Sequence, residues 1–315
     1  VDPAGDVCSD TLDVVTMSGR NVGDLLDRRG VSWGWFEGGF DRTATNTNGS
    51  RGCYRSTRSE VVGTSMLDYI PHHQPFQYFR STANPTHARP SSPSMIGFSG
   101  DSANHQYDIR DFFVAVRAGH FPAVSYLKAS GFQDGHAGYS DPLDEQTFVA
   151  QVINFLQRTP EWGSTAVIIL YDDSDGWYDH QFTPPANASF DPKSDWLTAP
   201  GACGVKGTTP QLDGVSGAGP VNGRCGPGPR QPFIVVSPWA RVNYVDHTLI
   251  DQSSVLRFVE DNWLDGARLG SGSFDASAGS INGLFDFGGK GDAPVLFLDD
   301  TLGTPVATPS GRLPG

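Results

Sequence analysis

The sequence predicts an α/β fold with a mostly parallel sheet sandwiched by helices. Two observations carry this expectation. Short apolar runs alternate with segments of helical spacing, the pattern of strands joined by covering helices. One run, Thr165-Ala-Val-Ile-Ile-Leu-Tyr171, is continuously apolar, as expected of a strand buried on both faces of a parallel sheet.

The elements follow in order. Asn21 reads as the N-cap of a short amphipathic helix over 22–29, and Gly30 as its stop. Residues 31–36 read as a strand and residues 41–60 as a polar loop. Residues 108–118 have helical spacing, with Phe112, Phe113 and Val116 inward, and residues 123–127 form a strand. Asp141-Pro142 opens a helix, with Pro at the first helical position and Asp144 and Glu145 at the positive helix end. Phe148, Val149, Val152, Ile153 and Leu156 keep helical spacing through Arg158. The strand at 165–171 comes next. Residues 183–231 are rich in Pro and Gly, and a loop that long is usually functional or tied down. Residues 232–236 read as another buried strand. Asp251 caps a helix to Trp263, with Val255, Phe258 and Val259 on one face. Residues 1–263 are expected to form one domain portion, with 264–315 an irregular tail packed on it.

Bulk properties narrow the function. The chain has 315 residues, of which 37% are hydrophobic and 18% charged, with 38 Gly and 23 Pro. That suits a globular protein with long loops. A net charge of -13 argues against nucleic-acid binding. No apolar stretch is long enough to span a membrane. The sequence opens at Val1 without Met or a signal peptide, so it reads as processed or truncated.

None of the four cysteines lies in a C-x-x-C pair, which argues against a zinc ribbon or a thioredoxin-type site. Cys203 and Cys225 bracket a Gly-rich loop that a disulfide would close, and Cys8 could then pair with Cys53. Free buried cysteines are the alternative. Disulfides would favour a secreted or periplasmic protein.

The candidate chemistry centres on Asp172 and Asp173. They sit where the 165–171 strand ends, and ligands bind at the carboxyl ends of strands in open α/β sheets. Two adjacent anions repel unless a cation or a shared proton relieves them, so one divalent metal ion is expected there. Asp175, Asp179 and His180 follow within the same stretch, although a helix N-cap or a solvated pair would also use two aspartates. No glutamate closes an EF-hand loop. His72 and His73 lie between Pro71 and Pro75. Adjacent side chains on extended backbone point opposite ways, so a turn is needed for both to serve one ligand. His136 lies in a Gly-flanked loop after the 123–127 strand, at the same expected sheet edge. His247 reads as a local loop contact. Trp33, Trp35, Trp177 and Tyr178 could wall a choline-like cation, though such residues are more often core.

Five segments together resemble the bacterial phosphoesterase family of phosphatidylcholine-type phospholipases C and acid phosphatases. They are Asn21-Val-Gly-Asp-Leu-Leu26, Gly30-Val-Ser-Trp-Gly-Trp-Phe36, Tyr69-Ile-Pro-His-His-Gln-Pro-Phe-Gln-Tyr78, Tyr171-Asp-Asp-Ser-Asp-Gly-Trp-Tyr-Asp-His180 and Asp246-His-Thr-Leu-Ile-Asp-Gln-Ser-Ser254. The resemblance implies an alkaline-phosphatase-like fold. It also implies hydrolysis of a phosphate ester, with a phospholipid head group among the candidates, through a phosphoenzyme. Asp172 and Asp173 would be metal ligands, and His72, His73 and His136 would surround the phosphate. The family's N-terminal Glu-Asn and Ser-Phe-Asp motif is absent, and its Ser or Thr nucleophile would lie upstream of Val1. The chain is thus expected to be the C-terminal portion of such an enzyme, inactive alone, with the missing portion as a companion chain or a lost segment. A sulfatase or mutase on the same fold, or a non-catalytic metal-binding or interaction module, are the rival expectations.

Overall fold

The computed structural model describes residues 1–174, 179–213, 219–223, 225–226, 228–292 and 294–314. Asp175, Trp177 and Tyr178 lie outside the described residues. The chain divides into two compact units. The first is Val1–Ser164 with Pro294–Gly315, and the second is Thr165–Ala293.

The first unit opens with β1 (Asp2–Pro3) and β2 (Val14–Val15), a short parallel pair. Helix α1 (Val22–Arg29) starts at a reciprocal capping box, in which Asn21 and Asp24 each satisfy the other's backbone N–H. It stops at Gly30, whose φ of 66° is the left-handed conformation that glycine adopts without strain. The central strand β3 (Trp33–Glu37) is flanked by β6 (Gln106–Asp108) and β7 (Val124–Lys128), both parallel to it. Between β3 and β6 the expected loop carries a small antiparallel hairpin, β4 (Ser56–Arg58) with β5 (Ser65–Leu67).

Helix α2 (Ile109–Arg117) buries Phe112, Phe113 and Val116, as the spacing predicts. Its cap is Asp108, the last residue of β6. Trp33, fully buried, stacks on His105 at 4.3 Å between ring centroids and tilts against Phe76 at 4.6 Å. Trp33 is therefore a core side chain and no wall for a ligand.

Helix α3 (Pro142–Leu156) opens at the Asp141 cap and packs Phe155 edge-on against Phe113 at 5.0 Å. Its polar face grips residues 296–300. Asn154 donates to Leu298 O at 2.7 Å and accepts from Leu298 N–H at 3.1 Å; Gln157 does the same for Leu296 at 2.9 and 2.8 Å. Gln151 bonds the Asp300 carboxylate at 2.9 Å. Side-chain amides at helical spacing thus give residues 296–300 the partners that a neighbouring strand would supply.

The second unit holds β8 (Val167–Leu170), β9 (Phe233–Val236) and α4 (Ser253–Trp263). The expectation of one mostly parallel sheet needs correction. Among the described residues the largest parallel sheet has three strands, β1 and β2 form a separate parallel pair, and β8 pairs antiparallel with β9. Neither strand is fully buried; Ile234 is 48% exposed. A four-residue apolar run encodes extended backbone but not the direction of its partner, so direction was illegible.

Both disulfides weighed in the sequence are present. Cys8–Cys53 lies in the first unit, with Cα atoms 5.2 Å apart, and Cys203–Cys225 in the second, at 6.1 Å. The second ties the Pro/Gly-rich segment, whose described residues carry little regular structure of their own.

Candidate active site

The carboxyl ends of β6, β3 and β7 form a row in register: Asp108, Glu37 and Lys128. Glu37 is buried, and its Oε2 accepts from Trp35 Nε1 at 3.2 Å. Burial pushes its carboxyl well above the usual range, with the Lys128 charge and the Trp35 bond pulling it back. Two glycines beyond β3 let the neighbouring loops close over this edge. A Cβ on Gly38 would stand 2.5 Å from Ser130 N, and one on Gly39, at φ 83°, 2.4 Å from Tyr69 N. The segment after β5 is thereby drawn to the sheet edge. There Gly131 N–H bonds Asp68 O at 3.0 Å.

That segment leads directly into the two histidines. Residues Pro71–His73 form a 3-10 turn closed by His73 N–H on Ile70 O at 3.0 Å. The turn brings the rings of His72 and His73 edge to face at 4.8 Å. This is the bend the sequence required for both to serve one site. The two differ in setting. The His72 side chain is 53% exposed, with Nδ1 3.2 Å from Asp2 Oδ1, whereas that of His73 is 9% exposed.

His73 Nδ1 lies 3.6 Å from Asp134 Oδ2, an ion-pair distance. Asp134 also accepts from His136 N–H at 3.1 Å and from Tyr139 Oη at 2.8 Å. Burial raises its carboxyl above the usual range, and these donors together with the charges of Lys128 and His136 oppose the rise. His136 stacks on Tyr139 at 4.3 Å, and its Nδ1 accepts from Gly138 N–H at 3.1 Å. The structure thus brings His72, His73 and His136 to one edge and joins the last two through Asp134. Sequence reasoning missed Asp134; its place two residues before a candidate histidine, in a Gly-flanked loop, was the available signal.

Asp172 and Asp173 belong to the second unit, where they follow β8 and are exposed. Their backbone is held: Gln252 Nε2, at the start of α4, donates to Tyr171 O at 2.5 Å and to Asp172 O at 2.8 Å. Two exposed carboxylates on a fixed strand end are hard oxygen donors, the kind a divalent cation takes. Asp179 is committed elsewhere, bonded to Arg230 at 3.2 Å with its carboxyl held low by the Gln181 N–H and that arginine.

A second cluster, Asp6, Cys8 and His87, has metal-like spacing but does not fit an ion. The Cys8 sulfur is bonded to Cys53. The Asp6 carboxylate already takes Tyr69 Oη at 2.8 Å, Gln77 Nε2 at 2.6 Å, Cys8 N–H at 2.8 Å and His87 Nε2 at 3.0 Å. Its carboxyl is held below the usual range despite burial, chiefly by His87. This cluster is a polar knot inside the fold.

The phosphoesterase family model matches residues 3–264. The chain belongs to the phosphoesterase family. It is similar to a non-hemolytic phospholipase C of Pseudomonas aeruginosa, 30% identical over 190 residues, covering 59% of this chain and 26% of that protein. Phospholipase C A of Mycobacterium tuberculosis is 32% identical over 149 residues, covering 47% and 26%. A non-hemolytic phospholipase C of Burkholderia pseudomallei is 27% identical over 247 residues, covering 77% and 31%. The chain thus spans about a quarter to a third of the length of these phosphoesterase relatives.

Proposed function

We propose that this phosphoesterase hydrolyses phosphate esters, with a phospholipid head group as the favoured substrate class, through a phosphoenzyme. Asp172 and Asp173 hold one divalent metal ion; His72, His73 and His136 surround the phosphate. The observation that carries the reading is the pair of histidines joined by Asp134 at the carboxyl edge of parallel strands. Such edges are where α/β folds bind ligands.

When bound, the metal supplies positive charge that lowers the pKa of an attacking hydroxyl and neutralises charge on phosphoryl oxygens. The chain's own residues do the rest. His136 accepts a backbone N–H at Nδ1, so its ring proton sits on Nε2, where it can donate to a phosphoryl oxygen. His73 presents Nδ1 to a carboxylate, so Nε2 is the nitrogen that exchanges a proton with the leaving group. His72, more exposed, adds a donor at the rim. Catalytic power then comes from donors fixed where charge develops.

The proposed catalytic portion spans residues 1–263, close to the 3–264 that the family model matches. Two disulfides suit a secreted or periplasmic enzyme. Among the described residues no helix is long and apolar enough to cross a membrane.

The decisive experiment measures metal content and turnover of Asp172→Ala in the full chain, on phosphatidylcholine and on a chromogenic phosphate monoester side by side. Loss of metal with a fall in rate of orders of magnitude is expected. Unchanged metal and unchanged rate on both substrates would remove the assignment.

A further inference from the structure

We propose that Asp134 is a positioning residue that gives His73 and His136 different protons to handle. The inference rests on the function proposed above and deepens it. Its basis is one carboxylate with four neighbours in the first unit. Asp134 faces His73 Nδ1 at 3.6 Å, accepts the His136 N–H at 3.1 Å, and accepts Tyr139 Oη at 2.8 Å; Lys128 adds a charge nearby. Its side chain is 1% exposed. Water therefore competes little for these contacts, and the carboxylate acts at close to full strength.

A carboxylate beside Nδ1 selects the tautomer with the proton on Nδ1 and favours the imidazolium when Nε2 takes a second. His73 is thereby set up for transfer at Nε2. As a deprotonated hydroxyl oxygen of the enzyme bonds to phosphorus and the P–O bond to the leaving group breaks, the bonding pair stays on the leaving oxygen. That oxygen takes the Nε2 proton, and the His73 ring becomes neutral. In the second half, water bonds to phosphorus and its proton passes to Nε2, while the P–O bond to the enzyme oxygen breaks with its pair returning to that oxygen, which restores both the ring and the nucleophile. His136 has the opposite tautomer, because Gly138 N–H occupies Nδ1. It can give a hydrogen bond from Nε2 but cannot accept there. Two histidines of one residue type are separated into a proton carrier and a fixed donor. The same carboxylate touches the first ring and the second's backbone.

Among the described residues, charged and titratable groups around Asp134 include His73 on the Pro71–His73 turn, with the His72 ring 4.8 Å from it, Lys128 at the end of β7, Glu145 of α3, whose carboxylate lies against Gly135, and His136 and Tyr139 on its own loop. Glu37, in register with Lys128 on β3, shares that lysine's charge.

The test uses Asp134→Asn in the full chain, read by the nitrogen NMR signals of His73 and by the pH profile of kcat/KM. The amide keeps the shape: its oxygen can still accept from the His136 N–H, while its NH2 stands where Asp134 Oδ2 meets Tyr139 Oη and His73 Nδ1. Expected are a shift of the His73 proton toward Nε2, movement of the His73 limb of the profile to lower pH, and a fall in kcat of about 100-fold with KM little changed. Tyr139→Phe is the second variant, and it keeps the stack on His136. It strips one donor from Asp134, makes the carboxylate more basic, and should move the same limb to higher pH. Opposite movements in the two variants support the proposal. An unmoved His73 tautomer and an unmoved limb in both would overturn it, whatever happens to the rate. Wild-type turnover in His73→Ala, with the tautomer still switching in Asp134→Asn, would sink the proposed function and leave the positioning intact.

Discussion

Arg55 Nη2 donates to Asp108 Oδ2 at 3.0 Å, deep inside the first unit, where neither side chain is more than 1% exposed. The same guanidinium bonds Asp68 Oδ2 at 3.1 Å and Asp41 O at 3.0 Å. One arginine therefore ties the end of β6, the loop after β3, and the segment that enters the His72–His73 turn.

Arg55→Met should destabilise the first unit by about 3–5 kcal/mol, because it leaves two buried carboxylates without their cation. Arg55→Lys should recover only part of this, since an ammonium cannot match three separate directions. Urea unfolding followed by tryptophan fluorescence reads the effect. A loss below about 1 kcal/mol for the Met variant would show that the charges are satisfied by another route.

In the second unit Glu260 and Asp275 are both fully buried and face each other. Burial, then Asp275, pushes Glu260 up to about 8, while Asp275 is held low by hydrogen bonds from Ser273 and Leu269 that overcome its burial. Arg268 bonds Glu260 at 3.3 Å and opposes the rise. The folded form keeps a proton that the unfolded form releases above 4.5. Stability of this unit is thus fully present below pH 4.5 as far as this group is concerned. It falls as the pH rises toward about 8, and the loss then levels off. Hydrogen exchange of α4 amides, corrected for intrinsic rates, should show this decline, and Glu260→Gln should flatten it. An unchanged slope in the Gln variant would assign the pH dependence to other groups.

Gln252→Ala removes both bonds that fix the carbonyls of Tyr171 and Asp172. On the proposed function this should weaken divalent-metal binding by about 10- to 100-fold without removing either carboxylate, as outer partners of metal sites do when lost. Calorimetric titration with manganese on wild type and variant measures it. Equal affinities would mean that the strand end holds its shape unaided.

Local signals in the sequence were faithful where the chemistry is local. The Asn21 cap, the Gly30 stop, the Asp141-Pro142 start and the inward faces of α2 all read correctly, because each depends on neighbours within a turn. The need for a bend at His72–His73 was also legible, from two prolines and an alternation rule. Partner choice was not. Nothing in residues 165–171 distinguishes pairing with β9 from joining a parallel sheet, and nothing in Gln151, Asn154 or Gln157 says that they bond residues 296–300. Asp134 was hidden for the same reason: its role depends on His73, 61 positions away in the sequence. Asp172 and Asp173 stand out by composition alone, and their metal remains a proposal for titration to decide.

The amide ladder on α3 also has a consequence in time. Asn154 and its partner Leu298 are 144 residues apart. A ribosome adding about 5–20 residues per second leaves that helix waiting roughly 7–30 s for its cover. During the interval the side chains of Gln151, Asn154 and Gln157 are bonded to solvent, and the nascent first unit is exposed to proteases and chaperones until residues 296–300 emerge. A nick or frameshift near residue 294 would therefore show its damage on a helix made long before it.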